Sequence, residues 1–229
     1  MTTGGEGGMV TTNDESLWRA MWSFKDHGKS YEAVYERQHP PGFRWLHESF
    51  GTNWRMLEMQ AAIGRIQLKR MAEWTAERQA NAAALVAILK PLAGPTGPVR
   101  LQQLGCTGCN TGCGAGGVES CATGCVHGHY KFYIHVRPEN LAPGWSRDRI
   151  QETINAEGVP CYQGSCSEVY LEKAFDDTGL RPTERLPVAR ELGETSLMFL
   201  VHPTLTADEV KKMCDVVKHV LTRSVETAR

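Results

Sequence analysis

The sequence has no long apolar run. Nowhere among its 229 residues is there the stretch of roughly 18–20 apolar residues that a membrane-crossing helix needs. It has no excess of charge: 25 Lys and Arg stand against 26 Asp and Glu, a net charge of −1. Nothing in that balance points to nucleic acid or an anionic membrane as a partner. Residues Met1 to Gly8 are polar and glycine-rich, with no basic segment leading into an apolar one. They do not read as a secretory signal, and a cytoplasmic location is expected. Cysteine is present but unevenly spread, since five of the eight fall between Cys106 and Cys125. In a cytoplasmic chain this favours free thiols or a metal over disulfides.

The densest pattern lies between Phe50 and Met71. After the turn-prone Gly51-Thr52-Asn53, Met56, Met59, Ile63, Ile66 and Met71 recur at spacings of three to five. That spacing predicts a helix with one apolar face. Ala61, Ala62 and Gly64 are small enough for another backbone to come close. A helical glycine costs about 1 kcal/mol relative to alanine, so Gly64 asks for a packing reason. The helix should run to about Lys90, broken or kinked at the polar stretch Arg78–Asn81, and stop at the Pro/Gly-rich residues 91–98.

Upstream, Met9–Thr12 is short and β-prone. Asn13 or Asp14 should cap a helix over residues 16–26, ended by Gly28. Residues 28–49 form a long irregular connection, expected as a loose surface loop. Downstream, residues 129–138 alternate as a strand does. A helix follows, capped by Ser146 and Gly158, then a short strand at Val159–Tyr162, a weak helix at Ser167–Phe175 and a short helix at Leu186–Leu192. Ser196–Val201 is a continuous apolar strand. Thr206 and Glu209 open a last helix as a capping box.

The run GTNWRMxExQAAIGxxQL at residues 51–68 resembles the helix signature of the DegT/DnrJ-type sugar aminotransferases. These are pyridoxal-phosphate (PLP) enzymes of fold type I. Gly4-Gly5-Glu6-Gly7-Gly8 resembles a second motif of that family, and Glu191–Leu205, with Val201-His202-Pro203, resembles its C-terminal strand and turn. The resemblance implies an α/β fold: a remnant of a fold type I large domain, a long connecting helix and a small C-terminal α/β domain. The corresponding boundaries are 1–90 for the large-domain remnant with its active-site loop and long helix, 91–128 for a Pro/Gly linker and Cys-rich insertion, and 129–229 for the small domain.

The resemblance also implies roles. Asn53 would reach the phosphate of PLP held in the partner subunit of a homodimer, with Gly7 and Gly8 beside the cofactor. His47 and His202 would lie on the substrate side. The substrates would be a nucleotide-linked keto-sugar and an amino donor. The family's Schiff-base lysine stands a few residues before the Gly-Glu-Gly-Gly motif, a position that falls at or before Met1 here. The chain is therefore expected to represent the C-terminal half of such an enzyme, to hold no catalytic residue, and to be inactive alone. Lys25, Lys29 and Lys69 are the nearest lysines and are expected at the solvated surface.

Read without the resemblance, Asn53 is a good helix cap, His202 an ordinary structural histidine, and the glycine-rich start a flexible tail. Asn53 can cap only if the helix begins at Trp54. The phosphate role leaves its side chain free, and the helix is then expected to begin at Glu58 with Leu57 in a poorly suited cap position.

The tract from Leu101 to His129 departs from the family. Cys106, Cys109, Cys113, Cys121 and Cys125, with His127 and His129, offer soft or borderline metal ligands. Cys106-x-x-Cys109 is a usable zinc spacing, whereas the other spacings match no zinc or iron–sulfur pattern. The expected state is no metal, with a disordered insertion or a reading-frame accident as readings of the tract. A second functional reading is a non-enzymatic metal- or partner-binding fragment built on it.

Overall fold

The computed structural model describes residues 4–42, 44–102 and 127–226. Cys106, Cys109, Cys113, Cys121 and Cys125 lie outside the described residues. The chain forms two compact units, Thr2–Met71 and Ala72–Arg229.

In the first unit, helix α1 (Glu15–Lys25) starts at Asp14, whose Oδ1 accepts the Leu17 N–H at 3.0 Å. That bond satisfies a donor which the first turn leaves open. The chain reverses through His27 and Gly28, both at positive φ (63° and 79°), and enters the short helix α2 (Tyr31–Tyr35) capped by Ser30. Trp18 and Trp22 on α1 meet Tyr31 edge to face, with ring centroids 4.9 and 5.2 Å apart. Such pairs add ~1 kcal/mol each beyond the area they bury. The start of this connection is thus not a loose loop, whereas residues 36–42 and 44–45 form no helix or strand and are exposed. The aromatic cluster holds that start, and Ser30 N–H donates to Leu46 O while Glu48 N–H donates to Gly28 O. Met9–Thr12, expected as a strand, carries no regular structure, and among the described residues no strand lies in that unit to receive its ladder bonds.

Helix α3 (Glu58–Leu89) runs 32 residues without the expected break. Its polar stretch anchors it instead of ending it. Arg78 Nη1 donates to Tyr130 O, and Asn81 Nδ2 donates to His202 O at 3.1 Å, with both side chains buried. At the other end, Leu57 stands in the cap position. Its N–H donates to Gln60 Oε1 at 3.1 Å, and its carbonyl accepts from Ala61 N–H. This is half of a capping box, lacking only the hydroxyl. Leu57→Thr should supply it and raise stability by about 1 kcal/mol. Urea unfolding checks this, and a lowered midpoint would show that the leucine side chain matters more than the missing bond.

The second unit centres on an antiparallel sheet in the order β1-β2-β4-β3: β1 (Val99–Leu101), β2 (Phe132–Val136), β3 (Cys161–Tyr162) and β4 (Ser196–Phe199). β1 falls in the stretch expected as linker. Three residues carry little periodicity, and the strand exists because β2 offers an edge to pair with. β4 is buried along its whole length, as its unbroken apolar run requires. Helix α4 (Arg147–Ala156) packs on β3 and β4 and against α6 (Ala207–Arg223), and α5 (Pro187–Thr195) lies between β3 and β4 in the chain. Ile150, Ile154, Leu197, Phe199, Val217 and Leu221 are completely buried. Each such side chain contributes roughly 1.5–3 kcal/mol. Ser146 caps α4, and Thr206 with Glu209 forms a complete capping box at α6, both as the sequence predicts. The weak helix expected over Ser167–Phe175 is two single 3₁₀ turns, Val169–Leu171 and Lys173–Phe175, and the short helix expected at Leu186–Leu192 is α5.

His135 sits in β2, buried, and its Nδ1 has no hydrogen-bond partner among the described residues. Burial, then the Arg100 guanidinium paired opposite it, hold its pKa below the ordinary value, with Glu191 opposing. The unfolded chain therefore binds a proton that the folded one refuses. Stability is unaffected above the ordinary histidine pKa of ~6.5 and falls as the pH drops below it. The unfolding midpoint should decline between pH 7 and pH 5, and less so in His135→Gln. An equal decline in both proteins would exclude His135 as a cause.

Candidate active site

The first unit holds an open cavity of about 1030 Å³. Its wall brings Gly7, Gly8 and Asn53 together and adds Lys25, Arg55 and the rings of Trp18, Trp22, Phe24 and Trp54. The convergence of segments 6–10, α1 and 53–60 has a local cause. Thr52 N–H donates to Phe24 O at 2.7 Å, His27 N–H to Thr52 O at 3.0 Å, and Trp54 N–H to Lys25 O at 3.0 Å. Residues 52–54 are thereby laid against the end of α1, and Asn53 pairs with Asp26 as an antiparallel bridge. Gln60 ties in the glycine-rich segment, since its Nε2 donates to Glu6 O at 2.7 Å. Two glycines permit the crossing. A Cβ on Gly28 would stand 1.9 Å from Ser49 O, and one on Gly51 would stand 2.3 Å from Gly28 N.

Asn53 is not a helix cap, because α3 begins five residues later, at Glu58. Its Oδ1 accepts from Arg55 Nε at 3.0 Å, and Arg55 Nη2 lies 3.2 Å from His27 Nε2. The Lys25 side chain is exposed, as expected, whereas that of Lys29 is largely covered. Lys25 lies on the cavity wall with Nζ over the Trp22 ring, and both lysines flank buried Asp26. Lys69 is exposed, as expected. His47 is exposed, is bridged to Lys29, and is not on the cavity wall. His202 lies in the second unit, half-buried, with Nδ1 2.8 Å from Thr204 Oγ1. Sequence reasoning missed Arg55 and Gln60. The signal for Gln60 was its place three residues after the cap, and for Arg55 its spacing of two from Asn53. Among the described residues no group of three or more His, Cys, Asp or Glu side chains could hold a metal ion. No helix among them is long and apolar enough to cross a membrane.

Residues 1–218 match the DegT/DnrJ/EryC1/StrS aminotransferase family. The chain belongs to that family. An aminotransferase from Psychrobacter cryohalolentis, solved by X-ray crystallography, is 56% identical and superposes with a TM-score of 0.84, covering 99% of this chain and 54% of the other. The dTDP-3-amino-3,4,6-trideoxy-alpha-D-glucose transaminase of Streptomyces venezuelae is 36% identical over 215 residues, 93% of this chain and 45% of that enzyme. A GDP-perosamine synthase of Caulobacter vibrioides is 39% identical over 77 residues, 34% of this chain and 18% of that enzyme. The chain spans about half the length of the relatives it matches. The fold is that of the PLP fold type I aminotransferases.

Proposed function

We propose that this chain carries the phosphate-binding half of a PLP-dependent aminotransferase acting on a nucleotide-linked keto-sugar in the cytoplasm. The observation that supports this reading is the convergence of Asn53, Gly7 and Gly8 on one cavity. The residues present fit the phosphate end of the cofactor. The Asn53 amide, the Lys25 ammonium and the Arg55 guanidinium are donors on a single wall, as an anion requires. Beside them the backbone at Gly8 is open, since a Cβ there would meet nothing within 4 Å. When bound, PLP supplies the electron sink through which an amino group moves between donor and ketone. This chain's part is to hold the phosphate, with Asn53 serving the pocket of a partner subunit in a homodimer. Glu6, through its bond to Gln60, sets where the glycine segment lies.

A chimera tests the reading. The part of the Psychrobacter aminotransferase that precedes the matched region, joined to residues 1–229, should bind PLP and aminate a nucleotide-linked keto-sugar at the expense of glutamate. Asn53→Ala in the chimera should weaken PLP retention by about tenfold, the loss of one hydrogen bond to a charged group. If the Asn53→Ala chimera folds and retains PLP as well as the unsubstituted one, the role of Asn53 is rejected.

The 229 residues alone should not attach PLP covalently at a single site. The first lysine of the sequence is Lys25, well after the Gly-Glu-Gly-Gly motif. Its ammonium lies 3.8 Å from Asp26 Oδ2 and over the Trp22 ring, in place for those groups and not at the motif position of a Schiff-base lysine. After mixing with PLP and reducing with borohydride, peptide mass mapping should find no stoichiometric adduct. One adduct per chain on one lysine would overturn this expectation.

A further inference from the structure

Asp26 is the one acid buried in the first unit among the described residues, and the phosphate-binding reading leaves it without a task. Its side chain is 12% exposed, and its Oδ1 is buried with no hydrogen bond. Charge holds it instead. Oδ1 lies 3.5 Å from Arg55 Nη1 and 3.6 Å from Lys29 Nζ, and Oδ2 lies 3.8 Å from Lys25 Nζ. A buried carboxylate is costly unless cations compensate it, so these groups are bound together electrostatically. Through its backbone the same residue is bridged to Asn53.

Arg55 links the two side chains. Its Nη1 faces Asp26, its Nη2 faces His27 Nε2, and its Nε–H reaches Asn53 Oδ1 at 3.0 Å. An arginine Nε–H can only donate, so the atom of Asn53 that meets it must be the carbonyl oxygen. This settles which way the carboxamide is turned, a choice that shape alone leaves open. With Oδ1 engaged, the N–H₂ end is the end available to a ligand oxygen.

We propose that Asp26 is a positioning residue: it orients Arg55, and Arg55 turns the Asn53 carboxamide so that its donor end faces the cofactor phosphate. The proposal rests on the phosphate-binding reading above for its ligand, but not for its geometry. Asp26 is not on the cavity wall and acts through two other side chains. The guanidinium fork matters as well as the charge, because a lysine at position 55 could neutralise Asp26 and still leave Asn53 free to turn.

The test follows side-chain signals by nuclear magnetic resonance in the full ¹⁵N-labelled chain. In the wild type, the Arg55 Nε–H should exchange with water more slowly than those of other exposed arginines. Asp26→Asn should remove that protection and shift the Asn53 N–H₂ signals. Arg55→Lys keeps a positive charge beside Asp26 and should shift the Asn53 signals in the same way. It also answers the question if Asp26→Asn does not fold, which the indole signals of Trp18 and Trp22 report. Asn53 signals that stay put in folded Asp26→Asn or in Arg55→Lys overturn the proposal. Titration with PLP then separates the two ideas. PLP should move the Asn53 N–H₂ signals of the wild type, with about tenfold weaker affinity in either variant. If PLP leaves the wild-type signals unmoved while the Arg55 Nε–H is protected, the phosphate reading fails and the arrangement of Asp26, Arg55 and Asn53 stands.

Discussion

Gly28→Ala should lower the stability of the first unit by roughly 3 kcal/mol or more, through strain and overpacking together. Two effects act at one atom. The residue sits at φ 79°, where a side chain is strained, and its Cβ would fall 1.9 Å from the Ser49 carbonyl oxygen. Neither Ser49, nor Phe50 with its backbone carbon at 3.0 Å, can give way cheaply, because both contacts are backbone. Gly51→Ala separates the two effects. It has no positive φ, yet its Cβ would stand 2.3 Å from Gly28 N and 2.6 Å from Phe24 O. It should cost nearly as much by crowding alone. Urea unfolding followed by tryptophan fluorescence is a suitable measure, since Trp18, Trp22 and Trp54 all lie in this unit. Both variants should also lose the bonds that lay residues 52–54 on α1, and with them the placing of Asn53. Midpoints within error of the wild type would mean that this crossing is not needed for the fold.

The second large effect is expected at the start of α3. No residue of that helix before Arg78 is buried, although Met59, Ile63 and Ile66 share its apolar pattern and are 73%, 48% and 64% exposed. Gly64 adds to this: among the described residues a Cβ there would meet nothing within 4 Å, so no described neighbour accounts for its smallness. Apolar surface of this extent marks an interface, and a small residue on it lets a partner backbone approach. The proposed homodimer supplies the partner. Ile66→Asp should weaken self-association at least about a hundredfold, the range of a central interface residue, because it places an unpaired charge on a surface that association would dry. Its effect on the monomer should be small, since Ile66 is exposed there. Sedimentation velocity across a concentration series measures this. A wild type that stays monomeric, or a variant that associates equally well, would reject the assignment of this face.

Local rules carried much of the fold. Asp14, Ser146 and Thr206 cap their helices where the sequence places them, because a cap needs only a short polar side chain and the two or three N–H groups that follow it. The run Ser196–Phe199 is legible as a buried strand because an unbroken apolar stretch has nowhere else to go. The family could also be read from its motifs, which single out Asn53, Gly7 and Gly8. The misreadings share a cause. Arg78 and Asn81 resemble a helix break until Tyr130 and His202 offer carbonyls to bond them. Residues 28–35 resemble the start of a loose loop until Tyr31 meets two tryptophans of α1. β1 is invisible until β2 lies beside it.

The chain by itself thus determined its helix starts, its central strand, its family and the residues proposed to meet phosphate, all of which depend on neighbours a few positions away or on a contiguous motif. Only the tertiary structure decided that Lys25 and Arg55 join Asn53 on one wall, that Asp26 is buried among cations, and that His47 stands off the cavity. The reason is physical: those relations run through backbone bonds between residues 24–27 and 52–54. Such contacts exist only once Gly28 and Gly51 let two segments cross more closely than any side chain would allow.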